Sequence, residues 1–318
     1  MSIKRLKTPL CLALLSAVCL SVCAIFAGCG QDDRTPDIVV TGYAQYDWTR
    51  QILGENPGEL DVKYLLDNGV DLHNYQPSVQ DIASIGACKL FIYTDSDAEQ
   101  WIGGALKNPK NTDRKVLNLI SLLSKDEKIA LDEDSGHVHD ENCVHEYDEH
   151  IWLSLKLAKK FVPVIAERLG QIDPDNAALY QANADLYGGE LDALDTDFEL
   201  TISAKTQKKV LVADRYPFVY LMRDYGIEAA AAFSGCAAVT EMSVQKVTEL
   251  KAYLRDNRLG FVLTLENSNT GIADQIIAGT DAQIRVLHSM QSVTTDQLAL
   301  SYRTVMRNNL GVLAQVLV

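Results

Sequence analysis

Four of the six histidines fall in one tract, Asp132-Glu-Asp-Ser-Gly-His137-Val-His139-Asp-Glu-Asn-Cys143-Val-His145-Glu-Tyr-Asp-Glu-His150. Carboxylates and one cysteine are interleaved with them. Imidazole and carboxylate donors suit zinc and its first-row neighbours, so the chemistry expected of His137, His139 and His145 is weak capture of metal from dilute solution. A solvated acidic loop with incidental histidines is the plainer alternative. The other two histidines are His73 and His288. No His-Glu-x-x-His, no Gly-x-Ser-x-Gly and no Cys/His nucleophile pair occurs, so a secreted zinc hydrolase, which needs three ligands, an open water position and a general base, is disfavoured.

The elements that must position these groups are legible in the apolar pattern. The chain has 318 residues, 47% hydrophobic and 23% charged, enough apolar side chains for one or two sizeable cores, with two domains the natural expectation. Its formal charge of −14 disfavours a nucleic-acid partner, and no basic stretch follows Lys7. Residues 1–28 read as a secretory signal, with Lys4, Arg5 and Lys7 ahead of an apolar run from Leu10 to Phe26. The run ends in Phe26-Ala27-Gly28-Cys29, which resembles a bacterial lipobox, although Phe26 stands where leucine is usual. Cys29 is then the lipidated first residue of a mature protein on the outer face of the cytoplasmic membrane. An ordinary signal with an incidental cysteine, or a single spanning anchor, are the alternatives. Cys88, Cys143 and Cys236 remain, and the sequence does not say which two, if any, would pair.

After a tether over residues 29–36, strand and helix patterns alternate. Strands are expected at Asp37–Gly42, Leu60–Leu66 and Lys89–Tyr93, a short strand or strand-to-loop segment at Val116–Leu123, and helices at Tyr46–Gly54, Ser78–Ile85 and Ala98–Leu106. The histidine-rich loop, 132–149, completes an N-terminal lobe over 37–171. Asp173-Pro174 opens a long helical pattern within 172–207, with Leu179, Tyr180, Ala184, Tyr187 and Leu191 at helical spacing. Alternation resumes in a C-terminal lobe over 208–318, with strands near Lys209–Ala213, Ala229–Phe233, Gly260–Leu265 and Ile284–Leu287. The fold class is α/β: two Rossmann-like lobes with parallel sheets, joined by one long interdomain helix.

Three stretches resemble the solute-binding lipoproteins of zinc and manganese ABC importers. They are Gly69-Val-Asp-Leu-His73-Asn-Tyr-Gln-Pro77-Ser-Val-Gln-Asp81, Asp148-Glu-His150-Ile-Trp-Leu153 and Asp214-Arg-Tyr-Pro-Phe218-Val-Tyr-Leu-Met-Arg-Asp-Tyr225-Gly226. The resemblance implies that His73 and His150 ligate metal from the N-terminal lobe, in a cleft between lobes. The family's third histidine falls on Arg215, whose guanidinium stays protonated and cannot bind metal. The aspartate that many members carry late in the C-terminal lobe falls near His288-Ser289-Met290, where no carboxylate stands. Candidates to complete the shell are, in order, Glu266 at the end of a strand, His288 after the next, and Glu241. Glu266 has a second reading as the ion-pair partner of Arg215.

The resemblance implies a monomeric carrier, not an enzyme, tethered by lipid, that takes Zn2+ to a permease and its ATPase. Zinc is favoured over manganese because the expected shell is histidine-led. An adhesin or extracellular metal buffer of the same fold is the alternative.

Overall fold

Short, fully buried runs of β-branched and leucine residues make the strands. In the computed structural model, which describes residues 35–54, 60–96, 99–130, 147–233 and 242–318, β1 is Ile38–Val40 and β3 is Leu90–Tyr93, and every residue of both is buried. Burial on both faces is the signature of a parallel sheet covered by helices on each side. With β2 (Val62–Tyr64) and β4 (Lys115–Asn118), the order is β2-β1-β3-β4, all parallel. The helices of this lobe are α1 (Tyr43–Leu53), α2 (Val79–Ala87) and the short α3 (Ile102–Ala105). Ser78 caps α2 through a reciprocal pair with Asp81, each side chain bonding the other's backbone N–H.

The second lobe repeats the plan. β5 (Lys209–Val212), β6 (Glu228–Ala231), β7 (Phe261–Thr264) and β8 (Gln283–Val286) form a parallel sheet in the order β6-β5-β7-β8. This is the order of the first sheet, so each has its switch point between its first and third strands, where a doubly wound fold binds ligands at the strands' carboxyl ends.

Between the lobes lies the long helix expected within 172–207, with a further helix ahead of it that the sequence pattern did not mark. An 18-residue helix, Leu155–Ile172, precedes the 27-residue Ala177–Ser203; we call them α4 and α5. Ser154 caps α4 by accepting the Leu157 N–H. Phe161, Val162, Ile165 and Leu169 of α4 are wholly buried, as are Leu191, Leu194 and Phe198 of α5. The chain turns between them at Asp173, whose carboxylate takes the Asn176 side-chain N–H and the Tyr180 hydroxyl.

After α6 (Val219–Tyr225), α7 (Val244–Asp256) and α8 (Gly271–Ile277), the C-terminal helix α9 (Tyr302–Val316) brings Tyr302 back to the first lobe. There Trp48 of α1 meets Phe161 and Tyr302 at ring separations of 5.9 and 5.2 Å. All three rings are completely buried, and burial of a side chain this large stabilises by about 2–3 kcal/mol. The Tyr302 hydroxyl donates to the Trp152 carbonyl at 2.8 Å, which ties this core to the turn after His150.

Cys88 is a buried free thiol whose Sγ donates to the Ile85 carbonyl at 3.3 Å. Burial pushes it up to about 12, so it is inert as a nucleophile. Cys29, Cys143, Cys236, His137, His139, His145 and Glu241 lie outside the described residues. Among the described residues no helix is long and apolar enough to cross a membrane.

Candidate metal centre

His73 sits in the turn Leu72–Asn74 that follows β2, and Asp71 fixes that turn by accepting the His73 backbone N–H at 2.9 Å. His150 opens the turn Ile151–Leu153 and is 1% exposed. Asp148 Oδ1 lies 2.9 Å from both the backbone nitrogen and Nδ1 of His150. A carboxylate at Nδ1 holds the proton there and leaves the Nε2 lone pair aimed outward, as a metal-binding histidine requires.

The two rings face one another with centroids 6.1 Å apart. Glu149 joins them, its Oε1 lying 3.7 Å from His73 Nε2 and 4.0 Å from His150 Nε2. Among the described residues, His73, Glu149 and His150 are the histidine, cysteine and acidic side chains whose donor atoms gather within 4.8 Å of one another. Two neutral imidazole nitrogens and one carboxylate oxygen are a donor set suited to four-coordinate zinc. Burial, then the neighbouring His150 ring, lowers the proton affinity of His73 to about 4, so its nitrogen stays free for metal at neutral pH.

The C-terminal lobe contributes Arg215 and, in addition, a side chain the sequence reading did not single out. Gln291, beyond β8, places Nε2 at 2.9 Å from His73 Nε2 and 2.8 Å from His150 Nε2. Its amide therefore spans both imidazoles, and a half-turn about its last torsion presents an oxygen there instead. Arg215 Nη2 lies 2.9 Å from Asp71 Oδ2. Burial alone would raise the Asp71 carboxyl, but the Arg215 hydrogen bond and charge outweigh it and hold it below its usual range.

Glu266 and His288 are placed elsewhere. Both oxygens of Glu266 are engaged by Ser289, through its backbone N–H and its hydroxyl, each at 2.7 Å. His288 Nδ1 accepts the Met290 N–H at 3.0 Å and lies 3.5 Å from Glu266. Together they shape the tight loop that carries Gln291, in which Met290 has a positive φ of 62°. Arg215 forms an ion pair with Asp71. The signals for the missed residues are slight: Asp148 and Glu149 directly precede His150, and Gln291 lies one residue past the stretch compared with the family's aspartate.

This fold, with donors converging between two like lobes, defines the class of two-lobed solute-binding proteins. The chain belongs to the ZnuA family, described as "Zinc-uptake complex component A periplasmic", whose profile matches residues 38–316. It is 30% identical over 313 residues to the zinc-binding lipoprotein AdcA of Streptococcus pneumoniae, covering 95% of this chain and 60% of AdcA. The chain thus spans less than two thirds of that relative's length. To the high-affinity zinc uptake system protein ZnuA of Bacillus subtilis it is 28% identical, covering 87% of this chain and 86% of that one. The crystal structure of the Zn(II)-bound ZnuA-like domain of Streptococcus pneumoniae AdcA superposes with a TM-score of 0.70 at 26% identity, covering 89% of this chain and 99% of that one.

Proposed function

We propose that this chain is the extracytoplasmic metal-binding component of an ABC importer. It takes Zn2+ between its lobes and hands it to a membrane permease powered by an ATPase. Cys29 anchors it by lipid, and the tract with His137, His139 and His145 gathers ions weakly ahead of the cleft. The reading assigns it binding and delivery without turnover.

The observation that carries this reading is the convergence of His73, His150 and Glu149, with Asp148 orienting the His150 ring. Two imidazoles favour zinc over manganese, which prefers oxygen-rich shells. The relatives whose names record zinc binding or zinc uptake support the same ion.

The test is calorimetry with Zn2+ and with Mn2+ on the protein from Gly30 onward, produced without lipid. One tight zinc site is expected, weakened about 100-fold or more in the double variant H73A/H150A. An unchanged zinc affinity in that variant would end the reading.

A further inference from the structure

Helix α5 carries an apolar strip on the face away from its core side. Leu179, Leu186 and Leu200 are 45, 70 and 66% exposed, and Leu300 is the only other exposed leucine among the described residues. Scattered exposed leucines are ordinary. These three share one spacing, for Leu179, Leu186, Ala193 and Leu200 stand seven residues apart. Seven residues are nearly two turns, so they form a line along the helix, with Ala182, Gly189, Thr196 and Ser203 in a second line beside it. Every residue of both lines is exposed.

The strip is ready to be covered. Its two hydroxyls are satisfied within the helix, Thr196 donating to the Asp192 carbonyl at 2.9 Å and Ser203 to the Leu200 carbonyl at 3.1 Å, so neither needs water. Acids on its flanks carry cations from the neighbouring helices. Lys156 and Lys159 of α4 pair with Glu199 and Asp192 at 3.1 and 2.6 Å, and Arg303 and Arg307 of α9 pair with Glu190 and Asp197. A strip neutralised in this way is spared the repulsion that a formal charge of −14 imposes between copies of the chain. Gly189 weakens the middle of the helix, and open space lies where a Cβ would stand. Such a glycine lets a second helix come close.

We propose that two copies of this chain pair antiparallel through α5. With the two-fold axis at the level of Leu191, Leu179 of one copy meets Ser203 of the other, Leu186 meets Thr196, Leu200 meets Ala182, and Ala193 meets Gly189 beside the axis. Each leucine is set against a small residue, which fills the interface without voids, whereas a parallel pair stacks leucine on leucine and glycine on glycine. The arrangement also brings Glu199 with its Lys156 next to Asp185 of the other copy. Asp185 is bonded by Gln181 and has no ion pair of its own among the described residues. The strip is about 40 Å long and about 12 Å wide, so the two copies together bury about 1,000 Å², the scale of a weak reversible dimer. This dimer stands in place of the monomer that the resemblance implies, and it uses no residue of the metal centre.

The experiment is sedimentation equilibrium on the protein from Gly30 onward, at about 1 to 500 μM. A monomer–dimer equilibrium with a Kd on the order of micromolar is expected. L186E, which sets a charge in the strip at a position 70% exposed in the single copy, should weaken it about tenfold or more. Monomer at every concentration, or a dimer that L186E leaves unchanged, would overturn the proposal.

Cross-linking reads the direction of the pair and does not depend on L186E. In a C143S/C236S background, a mixture of L186C and T196C proteins should oxidise to a covalent dimer. L186C alone should not, because the two 186 positions lie about 15 Å apart along the axis, beyond the reach of a disulfide. A self-linked L186C, or no link in the mixture, would overturn the antiparallel pair.

Discussion

Arg215 of the C-terminal lobe holds Asp71 of the N-terminal lobe at 2.9 Å, while the other oxygen of that carboxylate takes the His73 backbone N–H. A cation that cannot itself ligate metal thus acts on a candidate ligand one step removed. It braces the turn that carries His73 and links the two lobes through charge.

Replacing Arg215 with methionine leaves a half-buried Asp71 without its cation and loosens the His73 turn. Zinc affinity is expected to fall about tenfold, the scale of lost support behind a ligand, with lysine restoring part of it. Chelator competition on R215M and R215K reads this directly. Equal affinity in all three proteins would show that the ion pair does not support the site.

How much of this was legible in the sequence depends on what each residue interacts with. The strands are readable because Ile38-Val-Val and Leu90-Phe-Ile-Tyr are buried on both faces, which writes an unbroken apolar run into the chain. Asp173-Pro174 marks the start of the long helix α5, whereas α4 (Leu155–Ile172), which carries Pro163 inside it, goes unmarked in the sequence reading. The nearness of His73 and His150 is visible only through family resemblance, because nothing in their spacing brings residues 77 apart in sequence together. Gln291 carries no signal of its own. An amide is unremarkable until the fold sets it against two imidazoles, and Glu266 reads as a ligand until Ser289 is seen to occupy both its oxygens.

Asp148 bonds both the backbone and Nδ1 of His150, so it sets ring orientation and tautomer together. In D148A the proton on His150 is free to move to Nε2 and compete with metal. Zinc affinity should drop about 10- to 100-fold, while D148N, which keeps an acceptor, should lose less. Chelator competition at neutral pH orders the three proteins; a D148A affinity equal to the parent's would dismiss the orienting role.

Tyr302 connects the aromatic core to the turn after His150 through its hydroxyl on the Trp152 carbonyl at 2.8 Å. Y302F keeps the ring but leaves that carbonyl short of a donor in a dry setting. A loss of about 1–3 kcal/mol in unfolding free energy is expected. Denaturant titration checks it, and a change well under 1 kcal/mol would mean the carbonyl finds another partner.

Asp81 gives the fold a pH dependence away from the cleft. Burial alone would raise its pKa, but Lys63 at 2.8 Å and the Ser78 hydroxyl and backbone N–H hold it down at about 2. A depressed carboxyl stabilises the folded state above its unfolded value near pH 4 and loses that contribution as pH falls toward 2. The site is only half-buried, so screening keeps the effect near about 1 kcal/mol. Unfolding measured from pH 5 to pH 2 should slope less steeply in D81N than in the parent.

The last prediction concerns the amide that touches both imidazoles. Q291L removes every polar contact between the C-terminal lobe's Gln291 and the two rings and should weaken zinc about tenfold. Q291E sets an anionic oxygen at the same place, turning a shell of two nitrogens and one carboxylate into one with two carboxylates. That change should strengthen zinc binding and favour manganese still more, since added hard oxygen donors narrow the preference for zinc. The ratio of zinc to manganese affinity, measured by competition for all three proteins, is the deciding number. A ratio that stays constant across Gln, Leu and Glu would place residue 291 outside the shell and leave the N-terminal lobe alone to choose the ion.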